Sequence, residues 1–169
     1  MTGLRILAVV ERGPSGDAIE RALTQRSGFE LELTAEPLVA IGRVQSGWPD
    51  AVVIAHRPPV QDAVATVAAL RKIDAEIPIV ILSASQDAVL ATQALRLGVG
   101  DLLDDPPAAE VLRGALERLH QQRRSRQDAA WAPAPGTTEG FVGSSEAMRK
   151  VSERIDQVAG TDVDVLIRG

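Results

Sequence analysis

A doubly wound α/β fold around a parallel sheet is what this sequence of 169 residues predicts. Three observations predict it. Continuous apolar runs recur at residues 4–10 (LRILAVV), 51–55 (AVVIA) and 79–82 (IVIL), the pattern of strands covered on both faces. Between them lie segments whose apolar residues repeat at helical spacing. Strand and helix then alternate five times, an order satisfied by parallel strands joined through crossover helices.

Each element follows from local chemistry. After the first run, GPSGDAIERALTQRSGF offers Ser15 or Asp17 as a helix cap, with Ile19, Ala22 and Leu23 at helical spacing and Gly28 as the stop. Residues 29–33 (FELEL) alternate apolar and charged, which predicts a half-exposed edge strand. Residues 37–45 (PLVAIGRVQ) read as a weak helix closed by Gly47, and Pro49 and Asp50 introduce the AVVIA strand. Residues 61–73 place Val64, Val67, Ala68 and Leu70 on one helical stripe. After the IVIL strand, residues 87–97 predict a helix ended by Gly98. Residues 101–103 predict a short strand, and 108–124 a last amphipathic helix. Around Arg124 the sequence QQRRSRQDAAWAPAPGTTEG (residues 121–140) turns polar and then rich in Ala, Pro and Gly, which is linker composition.

Composition excludes several classes of function. Hydrophobic residues at 45% and charged residues at 24% suit a packed core rather than a disordered chain. Eighteen basic against 23 acidic residues leave a net charge of −5, so no global positive field holds a nucleic-acid backbone. No cysteine is present, which removes disulfides, thiolate metal sites and thiol nucleophiles. The four aromatic side chains, Phe29, Trp48, Trp131 and Phe141, offer no platform for stacked bases. The first apolar run is interrupted by Glu11 and Arg12, too soon for a signal peptide or membrane span, so a cytoplasmic location and no membrane partner are expected.

In open parallel sheets the functional crevice lies beyond the carboxyl ends of the strands. Residues 10–12, 55–57, 83–85 and 104–106 therefore line the expected site. Within it Glu11 reads first as a solvated acid, His56 as a solvated or capping side chain, and Ser83 as a hydroxyl bonded to backbone at a strand end. Asp101, Asp104 and Asp105 are acids that could meet a cation, and Arg123, Arg124 and Arg126 suit a solvated helix end.

Four segments in this order, RILAVVE, WPDAVVIAHRPP, PIVILSAS and LGVGDLLDDPP, make residues 1–125 resemble a response-regulator receiver domain. In the last of them Gly98, Asp101, Leu103 and Pro106 match the family's spacing. The resemblance implies a flavodoxin- or CheY-like sheet with strand order 2-1-3-4-5. Receiver chemistry requires an aspartate after the third strand as phosphoryl acceptor and an acid pair after the first strand for Mg²⁺. It also requires a lysine after the fifth strand and a hydroxyl after the fourth to meet the phosphoryl charge. Aligned on the flanking residues, these positions are held by Ala55, by Val10 and Glu11, by Asp105 and by Ser83. Alanine carries no nucleophile and Asp105 reverses the charge, so the resemblance implies a degenerate receiver that takes no phosphoryl group on aspartate.

A second resemblance covers residues 141–169, FVGSSEAMRKVSERIDQVAGTDVDVLIRG. Val142, Gly143, Ser145 and Met148, then Val165, Leu166, Ile167 and Gly169, resemble the opening of the AAA+ domain of sigma-54-dependent transcription activators. Met148, Val151, Ile155 and Val158 share one helical face. Gly169 would be the first glycine of a phosphate-binding loop, so this stretch is expected to be the truncated edge of an ATPase. The expected organisation is a receiver-like domain at 1–125, a linker at 126–140 and that edge at 141–169.

Together these resemblances imply a non-enzymatic regulatory module that controls an attached ATPase by protein contacts. A homodimer is expected through Val89, Leu102, Val111, Leu112, Leu116 and Leu119. No cofactor is expected for this chain; ATP, Mg²⁺, sigma-54 RNA polymerase and, through a further domain, DNA are partners implied for the longer protein. The alternative is a regulator of biofilm or flagellar genes that answers to a small ligand of the cyclic di-GMP type, although TTEG at residues 137–140 departs from the arginine-containing segment of the flagellar regulators. A third reading keeps residual phosphoryl or metal binding at Glu11 and Ser83.

Overall fold

The computed structural model describes residues 3–25, 28–85 and 88–130. Ten elements alternate strictly: β1 (Leu4–Val9), α1 (Pro14–Thr24), β2 (Phe29–Thr34), α2 (Pro37–Gln45), β3 (Ala51–His56), α3 (Ala63–Arg71), β4 (Ile79–Ser83), α4 (Ala88–Arg96), β5 (Asp101–Asp104) and α5 (Ala109–Ala130). The strands form one sheet in the order β2-β1-β3-β4-β5, and every pairing is parallel. This is the order implied by the receiver resemblance. The unit that holds the sheet ends at Arg123.

Side-chain alternation along the central strands explains why both faces must be covered. Ile6, Ala8, Val53, Ala55, Val80 and Leu82 point to one face, where Ile19 and Leu23 of α1 and Leu112 and Leu116 of α5 pack on them. Leu7, Val9, Val52, Ile54, Ile79 and Ile81 point to the other, against Val44 of α2, Val67 and Leu70 of α3 and Ala94 of α4. Strands that bury both faces have no polar alternation, which is why residues 4–10, 51–55 and 79–82 read as continuous apolar runs. β2 lies at an edge, as its alternation predicts; Phe29, Leu31 and Leu33 lean on the core and none of its residues is fully buried.

The structure corrects several local expectations. Neither Ser15 nor Asp17 caps α1: Gly13 is the cap residue and Pro14 takes the first helical position, where a missing N–H costs nothing. The helix also ends at Thr24, before Gly28. The buried stripe of α3 is Ala63, Thr66, Val67 and Leu70, while Val64 and Ala68 are half-buried. Asp62 caps it, accepting from the backbone of Val64 at 2.9 Å and Ala65 at 3.3 Å. α5 continues to Ala130, so residues 126–130, expected as linker, are helical. Leu112, Leu116 and Leu119 lie in the core against the sheet and cannot belong to the expected dimer face. The remaining linker residues and the segment at 141–169, including Val142, Gly143 and Gly169, lie outside the described residues.

Candidate functional site at the carboxyl end of the sheet

Parallel strands place their carboxyl ends at one edge, so the residues that follow β1, β3 and β5 and the last residue of β4 meet there. Val10 directly follows β1 and is buried; its N–H donates to Thr34 O at 2.8 Å, and its side chain belongs to the core. Glu11 is exposed. Ala55, the next-to-last residue of β3, is fully buried and presents only a methyl group. Ser83 ends β4, and its hydroxyl turns into its own loop, donating to Ser85 O at 2.7 Å and accepting from Ser85 N at 3.3 Å. The sequence expectation of a hydroxyl bonded to backbone describes it.

His56 ends β3 and its Nδ1 accepts from the backbone N–H of Ala63 at 3.3 Å, at the start of α3. It therefore caps, one of the two roles expected of it.

Two residues that had no role assigned from sequence organise the site: Arg57 lies in the stretch 55–57 expected to line it, and Ser15 was expected only as a helix cap. Arg57, the first residue past β3, directs its guanidinium at Asp105, with Nε and Nη2 each 2.9 Å from Oδ2. Ser15, in the first turn of α1, donates its hydroxyl to Asp105 Oδ1 and accepts from Arg57 Nη2. The Asp105 side chain is 2% exposed and that of Arg57 37%. The backbone of the β3–α3 loop is itself held: Arg57 and Gln61 exchange N–H···O bonds of 2.9 Å in both directions. Gln61 also donates through Nε2 to Val9 O at 2.8 Å. The parallel sheet thus located the crevice, and the resemblance assigned five residues to it, Val10, Glu11, Ala55, Ser83 and Asp105. It could not show where a guanidinium three methylenes long would turn.

Divalent cation chemistry finds few donors here. Mg²⁺ takes oxygen ligands in octahedral geometry and is bound through carboxylates. Of the positions implied for it, Val10 and Ala55 have no side-chain donor and Glu11 is a lone exposed acid. Asp105 is committed to Arg57 and Ser15, and Asp101 accepts from Arg118 at 2.7 Å. Among the described residues no group of three His, Asp or Glu side chains converges as a metal set. The residues present do not fit Mg²⁺.

At the opposite edge of the sheet a cleft of about 540 Å³ is lined by Arg5, Phe29, Asp50, Glu117 and His120. Arg5 and Asp50 form a two-point ion pair there, at 2.9 and 3.2 Å. Burial pushes the Asp50 carboxyl up, but the hydrogen bonds and charge of Arg5 outweigh it and hold the group below its ordinary value of 3.8.

Comparison with known proteins agrees with the geometry. The response regulator receiver domain matches residues 7–117, more than half of the chain. The transcriptional regulatory protein ZraR of Klebsiella oxytoca is 30% identical over 171 residues, covering 100% of this chain and 38% of its own length. The luminescence regulatory protein LuxO of Vibrio campbellii is 26% identical over 161 residues, covering 95% of this chain and 36% of its own. This chain therefore spans little more than a third of the regulators it matches. Among solved structures, NtrX of Brucella abortus in complex with ADP superposes with a TM-score of 0.69 at 22% identity, over 95% of this chain and 35% of that one. A signal receiver domain of an HD domain-containing protein from Pseudomonas fluorescens gives 0.67 at 19% identity, over 76% and 94%. The last two establish the fold alone. Sheet order, crevice and sequence match converge, and the chain belongs to the response regulator receiver domain family.

Proposed function

We propose that this chain is the regulatory module of a sigma-54-dependent transcription regulator and acts through protein contacts without aspartyl phosphorylation. One observation carries the reading. At the phosphoacceptor position stands the buried methyl of Ala55, and where a cation would meet the phosphoryl group stands the Asp105 carboxylate, already taken up by Arg57. A phosphoryl dianion placed there would find no nucleophile and would face a negative charge. The assignment to a transcription regulator is supported by the names of the relatives, whose matches extend past the receiver fold, and by the ATPase-like residues at 141–169. On this reading ATP, Mg²⁺, polymerase and DNA are engaged by the longer protein.

The contact surface that remains after the core leucines are removed consists of Val89 and Leu95 on α4, half-buried Leu102 on β5 and Val111 on α5. Val89, Leu95 and Val111 are 67%, 79% and 53% exposed. A homodimer through this face is part of the proposal.

The test is incubation of the chain with acetyl phosphate and Mg²⁺ followed by intact-mass measurement. No adduct of about 80 dalton, the mass of one phosphoryl group, is expected. A stoichiometric adduct on Glu11, Ser83 or His56 would overturn the reading.

A further inference from the structure

Arg57, Ser15 and Asp105 come from three separate stretches of chain: the end of β3, the first turn of α1 and the β5–α5 turn. They meet on a single carboxylate. Asp105 Oδ2 receives both Nε and Nη2 of Arg57, Oδ1 receives the Ser15 hydroxyl, and Ser15 closes the ring by accepting from Arg57. The Asp105 backbone N–H adds a fourth element, donating to Ser83 O of β4 at 3.2 Å. A buried carboxylate is costly unless it is paired and hydrogen-bonded, and here the partners are supplied by other elements. Any movement that separates these elements strands the charge. Arg57 is in turn anchored by its backbone pairing with Gln61, so it cannot follow Asp105 freely.

We propose that Asp105 is a fixed internal anion whose carboxylate latches the β3–α3 loop, the first turn of α1 and the β5–α5 turn into one arrangement. This end of the domain then holds a single state without a phosphoryl group to impose it. The inference takes its biological sense from the phosphorylation-independent reading, but its test involves no phosphoryl donor. An adduct in the acetyl phosphate experiment would sink that reading and leave the latch to be judged separately.

Amide hydrogen exchange on the 169-residue chain tests it. In Asp105→Asn and in Arg57→Gln, amides at residues 57–63 and 104–108 are expected to exchange about tenfold faster than in the wild type. The double variant should be no faster than either single one, because both remove the same interaction. Ser15→Ala, which keeps the ion pair and deletes one donor, should accelerate the same segments about threefold, and it supplies the measurement if Asp105→Asn does not fold. The charge-exchanged pair Arg57→Glu with Asp105→Lys should recover part of the protection. Unchanged exchange in all single variants, or effects of Arg57→Gln and Asp105→Asn that multiply independently, would overturn the latch.

Discussion

Arg71 shows how far one side chain can knit this fold. Its Nε donates to Leu97 O at 2.9 Å, Nη1 to Ile77 O at 2.7 Å and Nη2 to Gly98 O at 2.7 Å, so one guanidinium ties the end of α3 to the start of β4 and the end of α4. Burial lowers its basicity, Asp74 opposes that and Arg123 adds to it. Gly98, at φ +65°, supplies the left-handed turn that presents these carbonyls. Arg71→Ala should lower stability to urea by about 2–4 kcal/mol, since several carbonyls lose a charged donor at once. Arg71→Lys should recover less than half of it, because an ammonium cannot fork. At the other edge, Asp50 ties acid stability to Arg5. Its carboxyl is depressed below 3.8 in the folded state, so its contribution is complete above that value and is lost as pH falls below it. Denaturation followed from neutral pH down to about pH 2 should show wild type and Asp50→Asn converging at the acid end. At this scale the sequence was informative about position and silent about direction. Ala55, Val10 and Asp105 were placed by aligning the receiver-like segments on their flanking residues, whereas Ser15 was offered as a cap although its hydroxyl is spent on Asp105.

Among the elements, α5 divides the clearest expectations from the mistaken ones. Its inward stripe, Leu112, Ala115, Leu116 and Leu119, belongs to the core cluster that α1 and the sheet share, while Val111 is exposed. Leu116→Ala should cost about 2–5 kcal/mol in chemical denaturation, and Val111→Glu should stay within about 0.5 kcal/mol of the wild type. The receiver resemblance points to a face of α5 but not to which of its apolar residues turn outward, and the helical period announces a stripe without saying which neighbour faces the sheet, so Leu112, Leu116 and Leu119 were grouped with a partner surface. The same ambiguity shifted half of the α3 stripe: Val67 and Leu70 are buried as expected, while Ala63 and Thr66 are buried in place of Val64 and Ala68. α5 outlasted its expected end because Gln and Arg, which make up residues 121–127 apart from Ser125, are good helix formers even where no apolar face continues. Strands were more legible than helices: runs apolar on both faces have few alternatives, and β1, β3 and β4 lie within a residue of where the runs put them.

For the molecule as a whole, the proposed dimer is most open to a direct test. Sedimentation of the wild-type chain should show a concentration-dependent dimer, and Leu95→Glu with Val111→Glu should give a folded monomer. A dimer unchanged by both substitutions would place the contact elsewhere. The fold class and crevice were readable because they depend on the alternation of element types, and the strand order because the receiver resemblance implies it. The latch was not, because it joins residues 42, 48 and 90 positions apart whose meeting depends on the assembled sheet. One feature of that sheet bears on the behaviour of the protein at high concentration. Its two open margins are β2, whose Glu30 and Glu32 alternate with apolar residues, and β5, only four residues long and begun and ended by Asp101 and Asp104. Short strands and repeated negative charge are poor templates for adding a foreign strand. The acids therefore guard against edge-to-edge aggregation, and they leave helical surfaces as the route by which two copies can associate without polymerising.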